Sequence, residues 1–345
     1  MARPCYVTRD RVQYTLDQAD IFRSNKRIDD AIASASDDLE GQLNRYFYPT
    51  LATRYPDPWR QVRGGILWLD SNVYEMASVS TLVVDSVTWT VNTDFYLDPE
   101  DGPPYTSIRI PRTSSRSWPS DERSIVVTGN VGASERTKAA GTLSASMNTS
   151  VTTMTVSDAS MVGVGDLVTL DSERVIVTDK ALTTTGTTIT ADMTGLSSGT
   201  SVTVASGAAV HAGEYIVIDS ERIFVEQVNG NTLTVKRGAQ SSALAVHTSG
   251  ATVYAPRVCT VERACTGTPA ASHNSAITLY VNDPPSLVAE AALALALNNL
   301  EQGKSAYART TGTGEMQQEA TGRGVKQIVE DCIARHGRVR IGATS

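Results

Sequence analysis

The sequence holds no apolar run near the roughly 18 residues that a membrane-crossing helix needs. Its opening residues, Met1-Ala2-Arg3-Pro4-Cys5, lack the apolar segment of a secretion signal. Neither a membrane span nor export is expected. Cysteine is scarce: Cys5, Cys259, Cys265 and Cys332 are the four residues, and no C-x-x-C pair occurs. Free thiols and assembly in a reducing cytoplasm are the expectation. A Cys259–Cys265 disulfide is conceivable, but nothing else in the sequence supports it. Charged residues amount to only 19%, and the net charge of -7 is the opposite of the basic excess by which proteins grip nucleic acid. A surface that DNA passes without sticking stays compatible with it.

Catalytic signatures are lacking as well. No H-x-H, H-E-x-x-H, Walker or G-x-S-x-G sequence is present, and Gly163-Val164-Gly165 has neither the third glycine nor the helix of a phosphate cradle. Two of the four histidines (His211, His247, His273 and His336) stand at equivalent positions of a repeat, which favours structural hydrogen bonding over metal binding. The sequence nominates no catalytic, metal or cofactor residue.

What is present falls into blocks, and 345 residues suffice for two or three domains. Residues 8 to 48 predict two helices. The first starts near Thr8 with Val12 and Leu16 on one side; the second carries Ile28, Ile32, Ala35, Leu39 and Leu43 in a helical stripe. Ser24 or Asn25 would cap its start, Pro49 would stop it, and Tyr46, Phe47 and Tyr48 would anchor its end to a sheet. From 62 to 131 the texture is β: Ile66–Leu69, Val79–Val84, Val87–Val91 and Ile125–Thr128 alternate with turn residues. Trp59, Trp68, Trp89 and Trp118 all lie in or beside this block, so heavy core material is expected there.

Between about 137 and 257 there is no Trp and one Phe, Phe224, while Thr, Ser, Val, Gly and Ala dominate. That composition predicts a separate all-β module. It carries an internal repeat. Gly165-Asp166, a β-run and Asp171-Ser172-Glu173-Arg174 recur 48 residues later as Gly213-Glu214, a β-run and Asp219-Ser220-Glu221-Arg222. Each copy predicts a hairpin with the polar four at or beside the turn. A second repeat overlaps its end with an offset of 26: Thr234-Val235-Lys236-Arg237 with Ala245, His247 and Ser249, then Thr260-Val261-Glu262-Arg263 with Ala271, His273 and Ser275. Duplication of a β-unit accounts for both.

Helix returns after Asp283-Pro284-Pro285-Ser286, where proline suits the first turn. Leu287 to Leu300 is apolar nearly all round, so it must be buried within the subunit or between subunits. Residues 303 to 324 read as a mobile polar loop, and a last amphipathic helix ends at Gly337. Val325, Ile328 and Val329 of that helix, with the basic Arg335, Arg338 and Arg340, are nominated as a partner interface; a solvated terminus is the alternative for the arginines. Asp29-Asp30 and Asp37-Asp38 read as a solvated helix face rather than a carboxylate ladder. Asp171/Glu173 and Asp219/Glu221 would bind calcium only if their loops converged with further oxygens, and pairing with the arginine that follows each acid is the expectation. Asp98-Pro99-Glu100-Asp101-Gly102 reads as an ordinary loop.

The fold class is therefore α+β: N- and C-terminal helices around a small β-region (1–136 and 276–345), with an inserted all-β module (137–275). This order resembles the head–tail connector, or adaptor, family of tailed bacteriophages. Phe95-Tyr96-Leu97-Asp98-Pro99-Glu100-Asp101-Gly102-Pro103-Pro104-Tyr105 is similar to a recurring segment of that family, Val126-Val127-Thr128-Gly129-Asn130-Val131-Gly132 to its Thr-Gly-x-x-Gly strand, and Pro284-Pro285-Ser286-Leu287-Val288 to its helix opening. The insert looks like a β-module of phage structural proteins in which the arginine precedes glycine, as at Arg237-Gly238; Arg263-Ala264 departs from that. The resemblance implies a non-enzymatic virion protein in the head–tail neck. It implies a homododecameric ring between the portal protein and the head-completion (stopper) or tail proteins, through whose lumen DNA passes unbound, with no cofactor and no membrane. A different virion component, of tail or decoration type, is the alternative, and a carbohydrate-binding module or hydrolase is a more distant one.

Overall fold

The computed structural model describes residues 3–18, 23–69, 75–304, 310–311, 318–319 and 322–338. It is a mixed structure of helices and antiparallel sheets. Helices α1 (Arg9–Gln18) and α2 (Asn25–Leu43) form where the stripes predict them, and Val12, Leu16, Ile28, Ile32, Ala35, Leu39 and Leu43 are all buried. Pro49 does not stop α2. The chain leaves the helix at Asn44, whose φ of 52° is left-handed and whose N–H donates to Glu40 O at 2.9 Å; asparagine tolerates that conformation. Ser24 takes the N-cap position without a side-chain bond to the helix.

Two four-stranded sheets follow. Their strands are β1 (Thr50–Arg54), β2 (Val62–Arg63), β3 (Ile66–Trp68), β4 (Met76–Val84), β5 (Val87–Trp89), β6 (Tyr96–Asp98), β7 (Ser107–Arg109) and β8 (Ile125–Val131). One sheet has the order β1-β8-β4-β5 and the other β2-β3-β7-β6. Leu67, Leu82, Ile108, Ile125 and Val127 make their shared core. The tryptophans divide, against expectation. Trp89 is buried with Trp118 against it, ring centroids 5.2 Å apart, but Trp59 is 78% exposed and Trp68 42%. Strand alternation explains Trp68, since Leu67 beside it points inward. Trp59 stands on a one-turn helix, α3 (Pro58–Gln61), capped by Asp57, whose carboxylate accepts from Trp59 N–H at 3.0 Å.

The Thr/Ser/Val-rich stretch forms a ten-stranded antiparallel sheet. It comprises β9 (Thr137–Thr142), β10 (Thr153–Thr155), β11 (Leu167–Leu170), β12 (Glu173–Thr188), β13 (Ser201–Thr203), β14 (Tyr215–Ile218), β15 (Glu221–Asn229), β16 (Thr232–Lys236), β17 (Thr252–Glu262) and β18 (Thr278–Asn282). The sheet continues past residue 275, because β18 pairs with both β11 and β9. Each D-S-E-R segment places Asp-Ser in a two-residue turn, with Leu170 opposite Glu173 and Ile218 opposite Glu221. Asp171 and Asp219 take the left-handed φ values of 49° and 53° that such a turn requires.

The two sequence repeats are one duplication, nested. β10, β11, β12, the second half of β17 and β18 form one unit around Met154, Val156, Val168, Val175, Cys259 and Leu279. β13, β14, β15, β16 and the first half of β17 form a second around Val202, Val204, Ile216, Ile223, Leu233 and Val253. Pairing is the same in both: β11–β12 matches β14–β15, β10–β17 matches β13–β16, and β11–β18 matches β14–β17. Isolated bridges Leu143–Val156 and Met147–His273 recur as Ile189–Val204 and Met193–His247. The second unit is thus inserted whole into the first, along the long ribbon of β12 and β17. Nesting is why the offset is 48 before the insertion and 26 after it.

Helices α4 (Ser286–Lys304) and α5 (Gly322–His336) pack with α1 and α2 into a helical core that includes Val288, Ala291, Ala292, Ala296, Leu300, Val329 and Cys332. Of residues 303–324, expected as a polar loop, Thr310–Thr311 pair with Gln318–Glu319 as β19 and β20 and α5 already begins at Gly322; the remainder beyond Lys304 lies outside the described residues. Among the described residues, no helix is long and apolar enough to cross a membrane, and all four cysteines are free thiols.

Candidate functional site

The densest constellation of charged groups is a buried ionic knot that the duplication builds twice. Glu173 Oε1 accepts from Arg263 Nε at 2.7 Å and from Ala264 N–H at 3.0 Å. Its Oε2 accepts from Arg263 Nη2 at 2.6 Å and Ala271 N–H at 2.9 Å, and faces His273 Nε2 at 2.9 Å. Nδ1 of His273 faces Asp171 Oδ2 at 2.9 Å. In the inserted unit, Glu221 takes Arg237 Nε and Nη2 at 2.6 Å each, Gly238 N–H and Ala245 N–H at 3.1 Å each, and His247 Nε2 at 2.9 Å. His247 Nδ1 lies 2.6 Å from Asp219 Oδ2. Both glutamate side chains are fully buried.

The arginine adjacent to each acid is not its partner. Successive strand residues point to opposite faces, so Arg174 and Arg222 turn away from Glu173 and Glu221. Arg174 instead donates to Pro49 O at 3.1 Å and Asn130 Oδ1 at 2.6 Å, which ties the module to the N-terminal sheets. Arg222 donates to the Gln240 side chain. The partners come from the other repeat: the D-S-E-R copy supplies Asp and Glu, and the T-V-x-R copy supplies Arg and His.

Chemically the knot is closed. Five donors converge on each glutamate, and both nitrogens of each histidine face a carboxylate, so neither group has an open lone pair for a substrate or a cation. Among the described residues no group of three or more His, Cys, Asp or Glu side chains is placed to hold a metal ion. Burial alone would raise the Glu173 and Glu221 carboxyls, but the guanidinium, the backbone N–H groups and the histidine outweigh it and hold each at about 2.

A cleft of about 700 Å³ lies where α1 crosses the module and α4 begins. Two of its cations are paired within the fold. Lys180 Nζ donates to Asp10 Oδ1 at 2.7 Å, Ala159 O at 2.8 Å and Val162 O at 2.9 Å, and Arg136 Nη2 donates to Asp283 Oδ2 at 2.8 Å. Asp166 has no guanidinium partner. Its counterpart in the inserted unit, Glu214, is clamped by Arg257 Nε and Nη2 at 2.8 and 2.7 Å, but the residue corresponding to Arg257 is Asp283. Asp166 accepts from Gly163 N–H at 2.8 Å. Burial and the nearby Asp10 raise its carboxyl to about 7.

The residues nominated as a partner interface divide. Val329 is buried, and Val325 and Ile328 pack against the same helical core, so this face of α5 serves the chain's own fold. Arg335 is exposed. Arg338 is docked, its N–H donating to Leu43 O at 2.9 Å and its carbonyl accepting from Asn44 Nδ2 at 3.3 Å; Arg340 lies outside the described residues. The acidic pairs of α2 are largely tied down: Arg9 holds Asp29 at 2.6 Å, Arg3 holds Asp37, and Lys26 holds Asp30 at 2.9 Å. On α4, expected to be buried within the subunit or between subunits, Leu293, Leu295 and Leu297 touch the core without being closed by it. The exposure of Trp59 was not expected from the sequence. The chain matches no known protein family, curated protein or solved structure.

Proposed function

We propose that this chain is a structural protein of a tailed-phage virion, the adaptor whose ring joins the portal to the head-completion or tail proteins and lets DNA pass. The observation that carries the reading is α4. It is apolar nearly all round from Leu287 to Leu297, with Glu290 the exception, yet only Val288, Ala291, Ala292, Ala296 and Leu300 are buried within one chain, and Leu293, Leu295 and Leu297 keep part of their surface in solvent. Burying such side chains is favourable by roughly 25 cal/mol per Å² of apolar surface, so a neighbouring copy in a closed ring gains from covering them. The closed knots fit a scaffold role: they hold the module's shape and leave no open group for turnover.

Gold-labelled antibody against the chain, applied to intact particles, tests this. Label at the neck between head and tail is the expected result. Label on the capsid surface or along the tail shaft would replace the adaptor reading with that of a decoration or tail component.

A further inference from the structure

The small sheet β2-β3-β7-β6 has two edges of opposite character. Arg63 stands on the edge strand β2, with Trp59 and Arg60 on the one-turn helix before it, Trp68 on neighbouring β3 and Tyr55 earlier in the chain, all exposed, Arg60 at 86% and Trp59 at 78%. Asp57 is the one carboxylate among the described residues of this stretch, 3.5 Å from Arg60. At the opposite edge, β6 runs into Asp98-Pro99-Glu100-Asp101, with Pro103 following. There Arg109 binds Asp98 at 3.3 Å and also Glu100, and Asp101 follows in the chain. Pro99, Glu100, Asp101 and Pro103 are exposed.

We propose that these edges are the two halves of a head-to-tail contact between copies of this chain, the Arg/Trp edge of one copy seating the Asp/Glu/Pro edge of the next. The proposal rests on the ring reading above and adds a second copy-to-copy contact to the one made through α4. Three features favour a second copy as the occupant. The charges are complementary and lie at opposite edges of one sheet, the arrangement a heterologous, ring-closing interface needs. The indole of Trp59 is a flat apolar platform suited to proline rings. Tryptophan, tyrosine and arginine, without lysine, are the residues that dominate protein–protein hot spots. Nucleic acid would also suit arginine and tryptophan, but would leave the acidic edge without a role.

Charge reversal tests it. Arg60→Glu with Arg63→Glu makes both edges acidic, and Glu100→Arg with Asp101→Arg makes both basic; all four side chains are exposed, so circular dichroism should report unchanged folding. In sedimentation velocity over a concentration series, wild type should associate. Each variant alone should do so about a hundredfold more weakly, roughly tenfold for each charge contact reversed. An equimolar mixture of the two variants should recover association, and Trp59→Ala should weaken wild type without changing its fold. Wild type remaining monomeric at all concentrations would overturn the contact, as would variants that associate like wild type or a mixture that fails to recover. Loss of single-stranded oligonucleotide binding in Arg60→Glu/Arg63→Glu, with association intact, would assign the edge to nucleic acid instead. Neck labelling of particles is a separate readout, so the contact can fail while the adaptor reading stands.

Discussion

Glu221→Gln is the sharpest perturbation of the inserted β-unit. The amide keeps the shape of the carboxylate but removes its charge and turns an N–H toward groups that are themselves donors. Arg237, whose side chain is 1% exposed, then loses the carboxylate it touches, and either Ala245 N–H or Gly238 N–H loses its acceptor. Removing one member of a buried ion pair costs about 3–5 kcal/mol, a large share of the roughly 5–15 kcal/mol that holds a domain folded. At Asp219, whose side chain is 63% exposed, the same acid-to-amide change should cost less than about 1 kcal/mol. Because the second unit is nested within the first, its strands can open while the host unit stays paired. Hydrogen exchange read by mass spectrometry should therefore show β13 to β16 losing protection in Glu221→Gln, with β9 to β11, β18 and the helices retaining theirs. Equal protection in mutant and wild type, or a uniform loss along the chain, would refute the reasoning.

Other outcomes follow from the same geometry. Glu173 and Glu221, held at about 2 against an ordinary 4.5, stabilise the fold above pH 4.5. That contribution should fall away as the pH drops through 2, by about 3 kcal/mol per knot, and acid unfolding of a Glu173→Gln/Glu221→Gln chain should lack this step. Asp166, raised to about 7 from 3.8, has the opposite sign: its contribution is full below 3.8 and is lost as the pH rises through 7. Asp166→Asn should therefore raise the melting temperature at pH 8 and flatten its change between pH 8 and 6. Gly267 has φ +82°, and a Cβ there would sit 2.1 Å from Leu51 O, so Gly267→Ala should loosen the joint between module and N-terminal sheet, measured as new protease cleavage near residues 264–268. Arg174→Ala, losing its bonds to Pro49 O and Asn130 Oδ1, should act at the same joint.

Much of the architecture was legible where one physical signal dominates. The stripe from Ile28 to Leu43 could be buried only as a helix, and the D-S-E-R turns followed from alternation on either side. Composition located the tryptophans but not their burial, because whether Trp59 points inward depends on a one-turn helix set by Asp57. The knots were half legible. Both repeats could be seen, but the offsets of 48 and 26 were not joined into one nested duplication, and without that step Glu173 and Arg263, 90 positions apart, are not seen as partners. A recurring acid in one repeat and a recurring Arg/His pair in the other was the available signal. Strand periodicity also argued against Arg174 as the partner of Glu173, since adjacent residues in a strand face opposite ways. The nominated α5 face could not be assigned from sequence, because an apolar stripe reads alike whether its partner is the same chain or another.

On the proposed function, this chain closes into a ring with copies of itself at a phage portal. Electron microscopy of the full chain mixed with a portal protein, with the subunits of each complex counted, is the decisive test. One closed ring of equivalent copies seated on the portal, with α4 at or near a copy-to-copy contact, is expected. Single copies scattered on the portal, or no binding at all, would contradict it.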